Sequence, residues 1–326
     1  MSKQAFNQKI EALQSLRTAP SSPSTLEHLR KSLKERNNYL VSKAATIAGE
    51  LGLQSLVPDL LAAFDRFLTD APKSDPQCWA KNSIAKALKD LGHRDAAVFL
   101  RGMAHFQPEP VWGGHQDTAA TLRGTCALAL VECPLGDLEI LVRLTDLLAD
   151  PEKPVRIDAA RAIAQLGRPE GMPVLRLKAL LGDGEPEVVW QCFASLLSLS
   201  PRESVGFVGR FLNASGEDVR LEAVAALGEC REPEALDALR AHWRNERSPE
   251  SKKAMLVTLA ACRQPATIEF LVSIVEQAQV PDAAAAIVAL AEGSSRTEVR
   301  DRVAAAVERR NDPNLTGVFQ KEFARR

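Results

Sequence analysis

The chain of 326 residues contains a single Tyr, and aromatic side chains make up 5% of it. A core so poor in rings must be filled by Ala, Leu and Val, which suits helices packed closely through small residues. None of the six cysteines forms a Cys-x-x-Cys pair, so the zinc-ribbon and dithiol patterns are missing. There is no glycine-rich phosphate loop, no Gly-x-Ser-x-Gly and no His-Glu-x-x-His. No apolar run approaches the ~20 residues that span a bilayer. The amphipathic opening "MSKQAFNQKIEALQSLR" lacks the apolar stretch of a secretory leader. No membrane partner and a cytoplasmic location are therefore expected. An excess of one charge is missing too. The net charge is −1, so no global field attracts nucleic acid or acidic lipid. Residues 1–50 carry eight Lys/Arg against four Asp/Glu and residues 296–326 eight against five, which leaves an acidic middle between mildly basic ends.

What the sequence has is a repeat. Segments such as "VSKAATIAGELG" (41–52), "KNSIAKALKDLG" (81–92), "RGTCALALVECP" (123–134), "RIDAARAIAQLG" (156–167) and "RLEAVAALGECR" (220–231) share one helical stripe. With Leu51, Leu91, Cys133, Leu166, Leu199, Cys230, Cys262 and Ser294 as markers, the spacings are 40, 42, 33, 33, 31, 32 and 32. A second helical run follows each segment, and no stretch reads as a strand. One helical hairpin cannot bury its own apolar face, so such units must stack.

The unit "PEKPVRIDAARAIAQLGRPEGMPVLRLKALL" resembles a HEAT-like repeat of the short bacterial bilin-lyase type, through the Asp before the second helix, the "VR" at its start and the "AA..A...LG" after it. The resemblance covers about residues 23–310 and implies an all-α solenoid, a right-handed superhelix of about eight hairpins. Residues 1–22 then read as an N-terminal capping helix and residues 311–326, with Val318, Phe319 and Phe323, as a capping tail. HEAT arrays serve many functions, so the resemblance fixes fold rather than activity. It implies two alternatives to a scaffold: assistance in attaching a bilin chromophore, or a HEAT-like DNA glycosylase. Similar HEAT-like di-iron hydroxylases (the deoxyhypusine hydroxylases) carry His-Glu dyads, and here no His is followed by Glu. A DNA groove wants Lys and Arg along its length, and the acidic middle does not supply them.

The register also accounts for most of the chemistry-bearing residues. Cys133, Cys230 and Cys262 fill the slot of Leu166, while Cys126 and Cys192 fill that of Ala159, which makes them core thiols; Cys78 alone is off-pattern. Asp75, Asp117, Asp150 and Asp183 precede second helices, where a carboxylate caps free N–H groups. Lys81, Arg123, Arg156, Arg220 and Lys252 recur one turn later, and together they read as a structural acid–base ladder between units. Neither a metal nor a cofactor is expected.

Second-helix positions facing the hollow of the solenoid are mixed in sign through the first four units. They become small and apolar at the end, with Ala254, Val257 and Ala261 followed by Ala286, Ala289 and Gly293. Such a floor suits an apolar protein or peptide element, unless the C-terminal helices cover it.

The two long spacings come from insertions between first and second helices, "TDAPKSDPQ" (69–77) and "HFQPEPVWGGHQD" (105–117). Parallel stacking should bring them out side by side, as an edge where a solenoid carries function. Gly113 and Gly114 free the backbone, and Pro108 and Pro110 stiffen it. Trp112 either packs on Trp79 or stands exposed as a partner's anchor. His105 and His115, with Glu109, Asp117, Cys78 and Asp75, are the side chains that could converge there. The sequence thus points to a non-enzymatic scaffold that binds a protein or peptide through Trp112, Gly113, Gly114, His115, His105, Trp79, Val257 and Ala261. A nucleic-acid partner is not expected.

Overall fold

The computed structural model describes residues 3–18, 22–293 and 297–323. The Ser294 marker and the outermost residues of both terminal segments lie outside these ranges. The described chain is almost wholly helical and divides into two compact units, Met1–Gly171 and Met172–Arg326.

In the first unit α1 (Lys3–Ser15) precedes four hairpins. These are α2 (Pro23–Leu33) with α3 (Asn38–Glu50), α4 (Val57–Leu68) with α6 (Trp79–Asp90), α7 (Ala96–Met103) with α8 (Ala120–Leu130), and α9 (Asp137–Leu147) with α10 (Lys153–Leu166). A single helical turn, α5 (Ala71–Ser74), lies in the second hairpin. The second unit holds α11 (Gly171–Leu181) with α12 (Pro186–Leu199), α13 (Pro201–Gly209) with α14 (Glu217–Glu229), and α15 (Pro233–Asn245) with α16 (Pro249–Cys262). It ends with α17 (Pro265–Gln277) and α18 (Val280–Gly293), then α19 (Thr297–Arg310) and α20 (Pro313–Phe323).

Local chemistry sets the helix starts. Asn37, Asp95 and Ser248 occupy N-caps, and their side chains accept the N–H groups of Leu40, Ala97 and Ser251. Proline takes the first or second helical position in α10, α12, α15, α16 and α17, where its missing N–H costs nothing.

Second helices stack on one another within each unit: α3 on α6, α6 on α8 and α8 on α10, then α12 on α14, α14 on α16 and α16 on α18. This is solenoid packing, in which each repeat buries the face its neighbour cannot. Small residues set the close approach. A Cβ at Gly102 of α7 would lie 2.3 Å from the Cys126 sulfur of α8.

Cys126, Cys133 and Cys192 are buried in this seam, and Cys230 and Cys262 are half-buried. Burial pushes the Cys192 and Cys262 thiols up to about 12 and the Cys126 thiol higher, the direction expected of inert packing groups. Cys78, the off-pattern cysteine, is fully buried as well.

The expectation that no strand occurs is wrong at one place. Within the 105–117 insertion the chain forms an antiparallel hairpin, β1 (Pro108–Val111) and β2 (Gly114–Asp117), pairing Pro108 with Asp117 and Val111 with Gly114. The alternation in "QPEPV" carried this signal. It was hidden because Pro occupies two of the five positions and reads as a strand breaker. Trp112 and Gly113 form the two-residue turn, and Gly113 has φ of +90°, a conformation closed to other residues without strain.

Candidate interaction edge

Two side chains hold the hairpin to the preceding repeat. Gln107, 1% exposed, donates from its amide to the Asp75 carbonyl at 2.8 Å and to Glu109 Oε1 at 2.6 Å. Its backbone N–H donates to Asp117 Oδ1. Glu109, 7% exposed, accepts the Gln77 N–H at 2.7 Å and the Thr118 hydroxyl at 2.7 Å on one oxygen, and the Gln77 amide at 3.3 Å on the other. The two insertions therefore meet side by side. Burial raises the Glu109 carboxyl, but the donors from Gln107, Thr118 and Gln77 outweigh it and hold the group below its ordinary value.

The receiving segment is strained. Gln77 and Cys78 lie in the left-handed region with φ of 62° and 53°, which costs roughly 1–2 kcal/mol per residue for a side-chain-bearing residue. The Glu109 contact to the Gln77 N–H stabilises one of these turns.

Below the hairpin lies a buried charge network. Asp75 is fully buried and accepts from Ala80 N, Lys81 N, Lys81 Nζ and the Asn38 amide. Arg123, also fully buried, reaches Asp117 Oδ2 with Nη1 at 2.6 Å. Its other nitrogens clamp Asp150 at 2.8 and 2.9 Å. It thus joins its own repeat to the next. Burial drives the Asp117 carboxyl up, but the N–H groups of Gln107 and Ala119 and the Arg123 guanidinium bring it below its usual value. The expected acid–base ladder holds only in part, since Arg220 bonds backbone carbonyls rather than an acid. Asp150 and Asp183 accept the N–H two residues on, from Glu152 and Glu185, and Lys252 pairs with Asp282 at 2.7 Å. Arg156 and Arg220 donate to loop carbonyls, those of Asp150 and Pro151 and of Ala214 and Ser215.

The candidate side chains divide sharply. Trp112 does not pack on Trp79; it stands fully exposed at the hairpin tip. Trp79 is 47% exposed and takes the Tyr39 ring edge-on at 5.4 Å. Val111 and Phe106 are also exposed, and the Arg123 guanidinium lies 4.0 Å from the Phe106 ring centre. His115 and Gly114 are exposed along β2. His105 is half-buried against Gln107 Oε1, and burial lowers its pKa. Cys78 is pushed up to about 12, chiefly by burial. The convergence of His105, Cys78, Asp75, Glu109 and Asp117 is thus a satisfied network rather than an open site. Among the described residues no three His, Cys, Asp or Glu side chains are grouped to hold a metal ion.

At the other candidate surface Val257 and Ala261 are exposed on α16, but Ala286 and Ala289 are buried where α18 packs against α16 and α20. The last apolar floor positions are core, not surface. Glu222 on α14 is raised by burial and then by Glu187 and Asp218. A carboxyl raised in the fold stabilises it when protonated, and that contribution is lost as pH climbs through the raised value. Glu222→Gln should therefore gain about 0.5 kcal/mol at neutral pH and nothing in acid, read from urea unfolding at both pH values.

Sequence reasoning missed Gln107 and Gln77, which join the two insertions, because neither amide has a register partner in other repeats. It also missed Phe106, Asn38 and Asp282.

A family model for HEAT repeats matches residues 174–260 and 207–291. No curated protein matches the chain significantly. Among solved structures, human deoxyhypusine hydroxylase in complex with glycerol is similar at 18% identity, with a TM-score of 0.30, over 79% of this chain and 90% of that one. The CpcE–CpcF complex of phycocyanin lyase from Nostoc sp. PCC7120 is similar at 18% identity, with a TM-score of 0.35, over 76% and 94%. Kap121p bound to Pho4p is similar at 14% identity, with a TM-score of 0.40, over 95% of this chain and 42% of that one. At such values these likenesses say nothing of function. Among the described residues no helix is long and apolar enough to cross a membrane.

Proposed function

This chain is a HEAT-like repeat protein, and on that premise we propose that it is a non-enzymatic scaffold that binds protein through the 69–77/105–117 edge. One observation carries the reading: Trp112 is fully exposed at the tip of a hairpin whose base is fixed by buried hydrogen bonds. A large ring held out on a rigid support loses little entropy on docking, and Trp is the residue most enriched among binding hot spots. Val111 is exposed next to it in the chain, and Phe106 and Trp79 are exposed at the hairpin base and on α6. The exposed stripe at Val257 and Ala261 is a second, smaller contact surface in the same scheme. The terminal helices act as caps in this reading: α1 packs on α3, and α20 covers α18 and α19. No described residue favours bilin attachment or base excision over this reading.

The test is affinity capture with the whole chain as bait. Trp112→Ala should cut recovery of the bound protein about tenfold or more, because truncating an aromatic hot spot costs ~2 kcal/mol or more. The melting temperature should stay unchanged, because the ring touches nothing in the fold. Deleting 107–116 is a poor test, since it also removes Gln107 and Glu109 from the core. Undiminished capture by Trp112→Ala rules out the edge.

A further inference from the structure

Backbone groups of the hairpin show what the edge is built to accept. Antiparallel ladders alternate between pairs that exchange hydrogen bonds and pairs that do not. Thr118 N–H donates to the Gln107 carbonyl at 3.0 Å, so the 107/118 pair is bonded. By alternation 109/116 and 111/114 are bonded too, in the register observed. The intervening residues, 108 and 110 on β1 and 115 and 117 on β2, turn their backbone groups outward.

The two outer edges are therefore unequal. On β1 the outward positions are Pro108 and Pro110, which have no N–H, so this edge offers no donor to an added strand. On β2 they are His115 and Asp117, each with a donor and an acceptor at the two-residue spacing a further strand requires. Among the described residues no other helix or strand runs along β2 more than marginally. His115, Gln116 and Gly114 are exposed.

We propose that a second copy of this chain pairs along β2, antiparallel, about a two-fold axis at Gln116. Self-complementarity selects this occupant. With the axis there, His115 of each copy faces Asp117 of the other, and both residues point their backbone groups across. Four backbone hydrogen bonds form, and the same reversal places an imidazole beside a carboxylate twice. Asp117 can accept it. Its Oδ1 takes the Gln107 and Ala119 N–H groups, while Oδ2 takes only Arg123 Nη1, so an acceptor site remains. Side chains that hydrogen-bond directly across a ladder favour pairing. Antiparallel pairing carries each Trp112 towards the base of the other hairpin, where Phe106 is exposed. Because the prolines close β1, assembly stops at two copies; two open edges would propagate into filaments. This deepens the reading of the hairpin as an interaction edge and rests on it.

Sedimentation equilibrium of the full chain, from micromolar to millimolar concentration, tests the proposal. The wild type should pass from monomer to dimer. His115→Pro removes the outward N–H without touching a bonded pair and should weaken the dimer at least about tenfold, two donors being lost per dimer. His115→Ala keeps the N–H and should weaken it only about threefold. Pro110→Ala restores a donor to β1 and should produce species larger than dimers. Amide exchange on the wild type needs no variant: the His115 and Asp117 N–H groups should slow with concentration, and the Gln116 N–H, bonded inside the hairpin, should not. A wild type that stays monomeric, or whose His115 exchange ignores concentration, overturns the proposal. If Trp112→Ala still abolishes capture in that event, the edge stands with a different occupant.

Discussion

Arg123→Met should lower unfolding stability by about 3–5 kcal/mol, the range seen when one member of a buried charge network is removed. The guanidinium is fully buried and bridges two carboxylates, Asp117 at 12% side-chain exposure and Asp150 at 2%. Methionine fills part of the volume but leaves two desolvated anions without their cation. Arg123 Nη1 also donates to the His105 carbonyl at 3.0 Å, so the base of the hairpin loses a tie as well. Urea unfolding of wild type and variant measures the loss. Pairing Arg123→Met with Asp150→Asn should recover part of it, because the network then keeps one anion fewer. A pH series separates this from simple loss of packing. The depressed Asp117 carboxyl contributes stability above the usual carboxylate range, and that contribution disappears as pH falls through the depressed value. Without Arg123 this acid-labile part should shrink. A variant with unchanged acid sensitivity, or one within 1 kcal/mol of wild type (about the scatter between typical point mutants), contradicts the bridging role.

The fold was legible because it repeats. Each helix pair restates the same stripe, so an error in one unit is corrected by the others; register placed Cys126, Cys133 and Cys192 in the core, while Cys230 and Cys262, in the same slots, are only half-buried. The acid–base positions followed from the same logic, since Asp75, Asp117 and Asp150 each precede a helix whose first N–H groups need an acceptor. The insertions carry no such redundancy. "QPEPV" occurs once, its strand character is masked by prolines that sit where no donor is needed, and its register is set by contacts more than thirty residues away at Gln77 and Asp75. The floor was misjudged at Ala286 and Ala289 for a related reason. A helical wheel assigns faces for an ideal repeat, but this face of α18 meets its neighbours: α18 packs on α16 and α20, and a Cβ at Gly293 would lie 2.8 Å from Ala260 of α16. Cys78 shows the same limit, being buried by irregular backbone that periodicity does not describe.

Asp75→Asn should destabilise the protein more than Lys81→Met, by about 2 kcal/mol, although the two residues form one ion pair that is 0% exposed on both sides. The difference lies in what each leaves behind. Without Lys81, Asp75 still accepts from Ala80 N, Lys81 N and the Asn38 amide, and it still sits at the positive end of α6. Three donors and a helix terminus keep a carboxylate tolerably solvated. Without the Asp75 charge, Lys81 keeps the Phe67 carbonyl at 3.2 Å, and a buried ammonium with one neutral acceptor is poorly compensated. Asparagine also turns an NH2 group towards donors where two acceptor oxygens stood, leaving at least one backbone N–H unpaired. The loss then spreads to the edge, because Asp75 anchors the strained Gln77–Cys78 segment on which Glu109 docks. Asp75→Asn should therefore speed amide exchange throughout residues 107–118, whereas Lys81→Met should leave the hairpin protected. Equal destabilisation by the two variants, with equal protection of the hairpin, would mean that the cation rather than the carboxylate organises this corner.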